Sequence, residues 1–159
     1  MKTAVIPGSF DPITSGHLDI IKRASVLFDK VVIGIAKNFI KDPMFTLEER
    51  VELVRMATSD ITNVSVEPFD SLLVEFAAAK KAHVIVKGLR AVSDFEHEFQ
   101  MAQINRELNR EVETIFMMAS PKYAYLSSSA VREIAEYGGD VKSLVPSVVE
   151  EALKKKTSS

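Results

Sequence analysis

A chain of 159 residues, 47% hydrophobic and 26% charged, is long enough for one fully cored domain and too apolar to be disordered. Its formal net charge of -2 argues against a protein that coats nucleic acid, although a few placed cations can still hold a small anion. With no cysteine in the sequence, disulfide staples, thiolate metal sites and a cysteine nucleophile are excluded.

The chain begins with a short apolar run, Thr3–Pro7, that reads as a strand. No long apolar leader precedes it and no later run approaches membrane-spanning length, so a cytoplasmic protein with no membrane partner is expected. Gly16–Phe28 then places Ile20, Ile21, Ala24, Leu27 and Phe28 on one stripe at helical spacing. A second strand spans Val31–Ala36. Thr46 and Glu49 form a capping-box pattern that opens a helix running to about Thr58. Strands at Val64–Glu67, His83–Lys87 and Glu113–Ala119 alternate with helices over Asp70–Lys80 and Ser93–Asn109. Helices at Ser128–Tyr137, stopped by Gly138-Gly139, and at Pro146–Lys155 complete the chain. Residues from about 154 to 159 read as a frayed tail. Strand–helix alternation with nearly continuous Val/Ile runs predicts a single α/β domain over 1–159, built on a doubly wound parallel sheet.

Ligands of such sheets sit beyond the carboxyl ends of the strands. The unusual residues fall there. Gly8-Ser9-Phe10-Asp11-Pro12 and Gly16-His17 follow the first strand, where a helix start offers unpaired N–H groups suited to phosphate. An imidazole at that point can donate to a phosphoryl oxygen as charge builds on it. Lys87 and Arg90 flank Gly88 after the fourth strand, and local sequence leaves them open between a phosphate grip and solvated surface charges. Glu98 and Asn105 share a helix face with Met101 and Ala102, which either lines a pocket or forms a polar edge. After the fifth strand, Ser127, Ser128 and Ser129 precede Ala-Val-Arg, an N-cap signal with hydroxyls and N–H groups to spare.

The string Gly-Ser-Phe-Asp-Pro with Gly-His resembles the first signature of the nucleotidyltransferase superfamily, and Leu-Ser-Ser-Ser-Ala-Val-Arg resembles its second. Lys41-Asp-Pro-Met-Phe45 with Glu48-Glu-Arg50, and Gly88-Leu-Arg-Ala-Val-Ser-Asp-Phe-Glu96, resemble one branch, the phosphopantetheine adenylyltransferases. The likeness runs from Ala4 to about Leu153.

That resemblance implies a Rossmann-like nucleotidyltransferase fold and transfer of AMP from ATP to 4′-phosphopantetheine, by in-line attack of the acceptor phosphate. His17 takes the role of transition-state stabiliser, and Lys41 stands beside the acceptor phosphate. Ser9 touches both substrates. The nucleotide site is implied at Ser9, Phe10, His17, Gly88, Leu89, Arg90, Glu98, Tyr123, Ala124, Tyr125, Leu126, Ser127, Ser128 and Ser129. Leu73, Lys87 and Asn105 are implied for the acceptor, with Ser9 and Lys41. Mg²⁺ is expected to ride on the triphosphate, with no protein ligands of its own. A homohexamer and feedback inhibition by coenzyme A are family expectations. Two positions depart from the branch: Lys87 replaces the usual Arg, losing a bidentate fork, and His97 stands where Tyr is common. Competing readings are a nucleotidyltransferase acting on nicotinate mononucleotide or on a phospho-alcohol, and a silent nucleotide-binding module on the same fold.

Overall fold

The computed structural model describes residues 1–38, 40–91 and 95–158. Val92, Ser93 and Asp94, part of the branch-specific string, lie outside the described residues, as does the expected helix start at Ser93.

Five strands form one parallel sheet in the order β3-β2-β1-β4-β5. They are β1 Thr3–Gly8, β2 Lys30–Ala36, β3 Val64–Phe69, β4 Val84–Leu89 and β5 Glu113–Met118. The helices are α1 Ser15–Leu27, α2 Leu47–Ala57, α3 Leu73–Ala79, α4 Phe95–Leu108, α5 Ser128–Glu136 and α6 Ser147–Thr157. Alternation along the strands explains the two covered faces. Ala4, Ile6, Val31, Ile33 and Ile35 enter one core with residues of α1, α2, α5 and α6. Val5, Val32 and Ile85 enter the other with Val74, Phe76 and Ala77 of α3.

Boundaries differ from expectation at the functional edge. Gly8 belongs to β1, and β4 runs on past the expected end at Lys87 to take in Gly88 and Leu89. Leu27, expected on the apolar stripe of α1, is 65% exposed. It ends the helix, and Phe28 packs on the core just beyond it. The tail also differs: α6 continues to Thr157 because Lys156 bonds Glu49 at 2.8 Å and lies over the Phe45 ring.

Thr46 and Glu49 form the expected reciprocal cap of α2. At the N-terminus of α1 the same device uses a different residue. Thr14 caps the helix, and the His17 ring takes the place of the usual Glu or Gln.

Gly34, in the middle of β2, faces the stacked rings of Phe69 and Phe76. A Cβ there would stand 2.7 Å from Phe76 and 3.1 Å from Phe69. Gly34→Ala is therefore expected to destabilise the domain by about 1–3 kcal/mol through overpacking. Urea unfolding should show a lower midpoint with an unchanged slope; an unchanged midpoint would mean the rings move aside freely.

Candidate functional site

β1 pairs with β2 over its full length, from Thr3 to Gly8, but with β4 only at Ala4↔Val84 and Val5↔Ile85. Beyond those pairs the central strands part. Pro7, with no N–H, cannot donate to a ladder there. The opening is a cavity of about 930 Å³ at the carboxyl edge, lined by Ile6, Pro7 and Gly8 from one strand and Val86, Lys87 and Gly88 from the other. This lies at the switch point of the strand order, where open α/β sheets take their ligands.

Most of the residues singled out from sequence meet in this cavity. Ser9, Phe10, His17, Leu73, Lys87, Gly88, Arg90, Glu98, Asn105, Tyr123, Leu126, Ser127, Ser128 and Ser129 all line it, together with His97. Lys41, Leu89, Ala124 and Tyr125 do not figure in the lining. Lys41 is exposed in the loop between β2 and α2, although Asn38 and Ile40 ahead of it line the cavity. Leu89 is held in β4, where its carbonyl accepts from Ala119 N–H at 2.7 Å. Ala124 accepts from Ala91 N–H at 3.3 Å, tying the loops after β4 and β5 together, and Tyr125 is 77% exposed.

The glycines at this edge make room for the protein's own side chains. Gly8 makes room for the protein itself, since a Cβ would lie 2.8 Å from the Phe10 ring. Phe10 takes a left-handed backbone, φ 49°, which is strained for an aromatic residue. Its buried ring then lies against His17, centroids 5.0 Å apart. At Gly88 a Cβ would meet Ile20 of α1 at 3.1 Å, so this glycine sets how closely α1 approaches β4.

His17 is defined by its cap. Thr14 N–H donates to its Nδ1 at 3.0 Å. A nitrogen accepting that bond has no proton, so the neutral ring carries its hydrogen on Nε2. Burial, then the Arg90 and Lys87 charges, lowers its pKa from 6.5 to about 4. At neutral pH His17 is thus an uncharged donor in a cationic setting.

The charges around it come from different elements. Lys87 on β4 pairs with Glu98 on α4 at 3.3 Å. Arg90 donates to the Leu126 carbonyl at 3.3 Å. Arg132, on α5 and also in the lining, donates to the Asp11 carbonyl at 2.7 Å and lies 3.7 Å from its carboxylate. The serine cap is partly spent on structure. Ser127 Oγ accepts from Ala130 N–H at 3.1 Å, and Ser128 Oγ donates to the Pro12 carbonyl at 2.8 Å. What the start of α5 offers an anion is chiefly its backbone N–H groups.

Two buried groups that sequence reasoning gave no role hold these loops. The Arg50 guanidinium, 2% exposed, donates to the carbonyls of Ser9 at 2.9 Å, Ala36 at 3.0 Å and Lys37 at 3.4 Å. Asp11, fully buried, accepts from Met44 N–H at 2.9 Å and Phe45 N–H at 2.8 Å. An arginine within the apolar face formed with Val51 and Val54 was the available signal.

Among the described residues no group of three or more His, Cys, Asp or Glu is arranged to hold a metal ion. No helix of these residues is long and apolar enough to cross a membrane.

Comparison with known proteins adds to this geometry. The cytidylyltransferase-like family profile matches residues 5–134. The phosphopantetheine adenylyltransferase of Caldanaerobacter subterraneus subsp. tengcongensis is 56% identical over 98% of both chains. That of Thermodesulfovibrio yellowstonii is 56% identical over 98% of this chain and 97% of its own. The Clostridium perfringens enzyme of the same name is 51% identical over 100% of this chain and 97% of its own. A solved structure from Vibrio parahaemolyticus, assigned as a nicotinate-nucleotide adenylyltransferase, superposes with a TM-score of 0.71 over 99% of this chain and 95% of its own. At 21% identity that structure speaks for the fold alone.

The His17 environment makes a direct prediction. Its ring resonances should titrate with a midpoint near 4 rather than 6.5. Because the folded pKa lies below the unfolded one, the stability tied to the neutral ring is complete above about pH 6.5 and lost as pH falls towards 4. An NMR titration midpoint above 6 in the ligand-free protein would contradict the environment described.

Proposed function

The chain belongs to the phosphopantetheine adenylyltransferases, within the cytidylyltransferase-like family, and from that premise we propose how its residues divide the work. The enzyme transfers the adenylyl group of ATP to 4′-phosphopantetheine, giving dephospho-coenzyme A and pyrophosphate in coenzyme A biosynthesis.

The observation that carries the assignment of roles is the convergence of His17, Lys87, Arg90 and the N-terminus of α5 on one cavity between parted strands. The acceptor phosphate is itself the nucleophile, so the protein must hold two anions in line and stabilise charge as it moves. His17 gives its Nε2 proton as a hydrogen bond to the α-phosphoryl oxygens. A neutral donor suits this task, because it strengthens its bond in the transition state without releasing a proton at neutral pH. Arg90 and the start of α5, at Ser127 to Ser129, take the outgoing β- and γ-phosphates. Phe10, Gly88, Leu89, Glu98 and the segment Tyr123 to Leu126 complete the nucleotide side. Ser9 lies between the two substrates.

On the acceptor side, Lys87 and Lys41 meet the phosphate, and Leu73 and Asn105 flank the pantetheine arm. Lys41 approaches from the loop that continues the lining past Asn38 and Ile40. Binding of the acceptor phosphate competes with Glu98 for Lys87, which is why a lysine with one movable ammonium can serve here. Magnesium enters as the ATP salt, held by phosphate oxygens and water rather than by a protein cage. We assign the reaction to the cytoplasm, where its ATP is drawn from. We also propose a homohexamer, from the family resemblance, with the exposed Phe95 and Phe99 of α4 available for subunit contact.

Pyrophosphate release in the presence of ATP and Mg²⁺ tests the reading. It should require 4′-phosphopantetheine and fail with nicotinate mononucleotide; the reverse would overturn the acceptor assignment. His17→Ala should lower kcat about 100-fold, with a much smaller change in the KM for ATP. A preserved kcat would remove His17 from the transition state. Lys87→Arg should stay active.

A further inference from the structure

We propose that Asp11 is a positioning residue for the acceptor phosphate, acting through the loop that carries Lys41. The inference rests on the role proposed for Lys41 and extends it.

Asp11 is fully buried and does not itself line the cavity; its side chain meets the lining through the ion pair to Arg132. Its two carboxylate oxygens are spent on another loop: Oδ2 accepts from Met44 N–H at 2.9 Å and Oδ1 from Phe45 N–H at 2.8 Å. Burying a carboxylate is costly unless it is hydrogen-bonded and paired, and Asp11 is both, with Arg132 at 3.7 Å. The opposite end of the same loop is held by Arg50, which binds the carbonyls of Ala36 and Lys37. Lys41 therefore sits between two fixed ends. Asp42 adds a left-handed turn at φ 52°, and Pro43 follows it.

A lysine has a long flexible stem and is exposed here, so its effective concentration at a phosphate depends on where its Cα is held. Arg50 also binds the Ser9 carbonyl, and Asp11 follows Ser9 by two residues. The same clamp thus sets the Lys41 loop in register with the residue placed between both substrates. Arg132 donates to the Asp11 backbone carbonyl, and Ser128 to that of Pro12, so the nucleotide side is tied to the main chain of this loop. The carboxylate itself serves chiefly the acceptor side.

Asp11→Asn separates these functions. The amide keeps one acceptor and both backbone carbonyls, but turns a donor towards one of the two N–H groups. Steady-state kinetics of Asp11→Asn, Lys41→Ala and the double variant provide the test. Asp11→Asn should raise the KM for phosphopantetheine about fivefold or more, while the KM for ATP changes less than about twofold. In the Lys41→Ala background the same substitution should add less than about twofold, because its effect is already lost. Equal rises in both KM values, or independent effects of the two substitutions, would overturn the proposal. Lys41→Ala with a normal acceptor KM would overturn the role of Lys41, and the inference with it. An Asp11→Asn variant that raises no KM while Lys41→Ala does would sink the Asp11 role alone. Should Asp11→Asn fail to fold, Pro43→Gly relaxes the loop and leaves the carboxylate in place. It should raise the acceptor KM selectively and lose that effect in the Lys41→Ala background; an unchanged acceptor KM would contradict the proposal.

Discussion

The ladder between β1 and β4 ends after Val5 and Ile85, while the ladder between β1 and β2 continues to Gly8. That asymmetry opens the middle of the sheet without weakening its left half. Parallel strands fully covered on both faces would otherwise leave no room for a ligand among buried Val and Ile side chains. Because strand order reverses at this gap, helices leave it on both sides, and α1 and α5 can both present their N-termini to it. The cavity is a consequence of topology first and of particular side chains second.

The gap is lined largely by apolar side chains, with a few cations set among them. Lys87, Arg90 and Arg132 share this lining with His17, whose pKa is lowered to about 4 by burial and then by the Arg90 and Lys87 charges. A polyanionic substrate would meet cations already in place. The ligand-free site is thus prepared for phosphate: its cations are held by Glu98, the Leu126 carbonyl and Asp11. Such preorganisation is the principal means of catalysis when the substrate brings its own nucleophile.

The fold was legible because its signals were local and repeated. Val/Ile runs gave every strand within a few residues, and the caps at Thr46 and Gly138-Gly139 marked helix ends. Most of the site residues that the signature resemblance implied line the cavity. What was not legible was long-range. Asp11 gripping Met44 and Phe45, and Arg50 gripping Ser9, link residues more than thirty apart in sequence. No periodicity carries such pairings. Nor could local reading show that Gly8 and Gly88 make room for Phe10 and Ile20. It counted the serine hydroxyls as available, although Ser127 and Ser128 use theirs within the protein.

On this reading the domain catalyses by placement and charge stabilisation, with the acceptor phosphate attacking the α-phosphorus directly and no side chain forming a bond to it. The stereochemical course at that phosphorus tests this most directly. With ATP made chiral at the α-position by sulfur substitution, a single in-line displacement predicts inversion in the dephospho-coenzyme A product. Net retention would require two displacements through an adenylylated protein group, and would rule out direct attack.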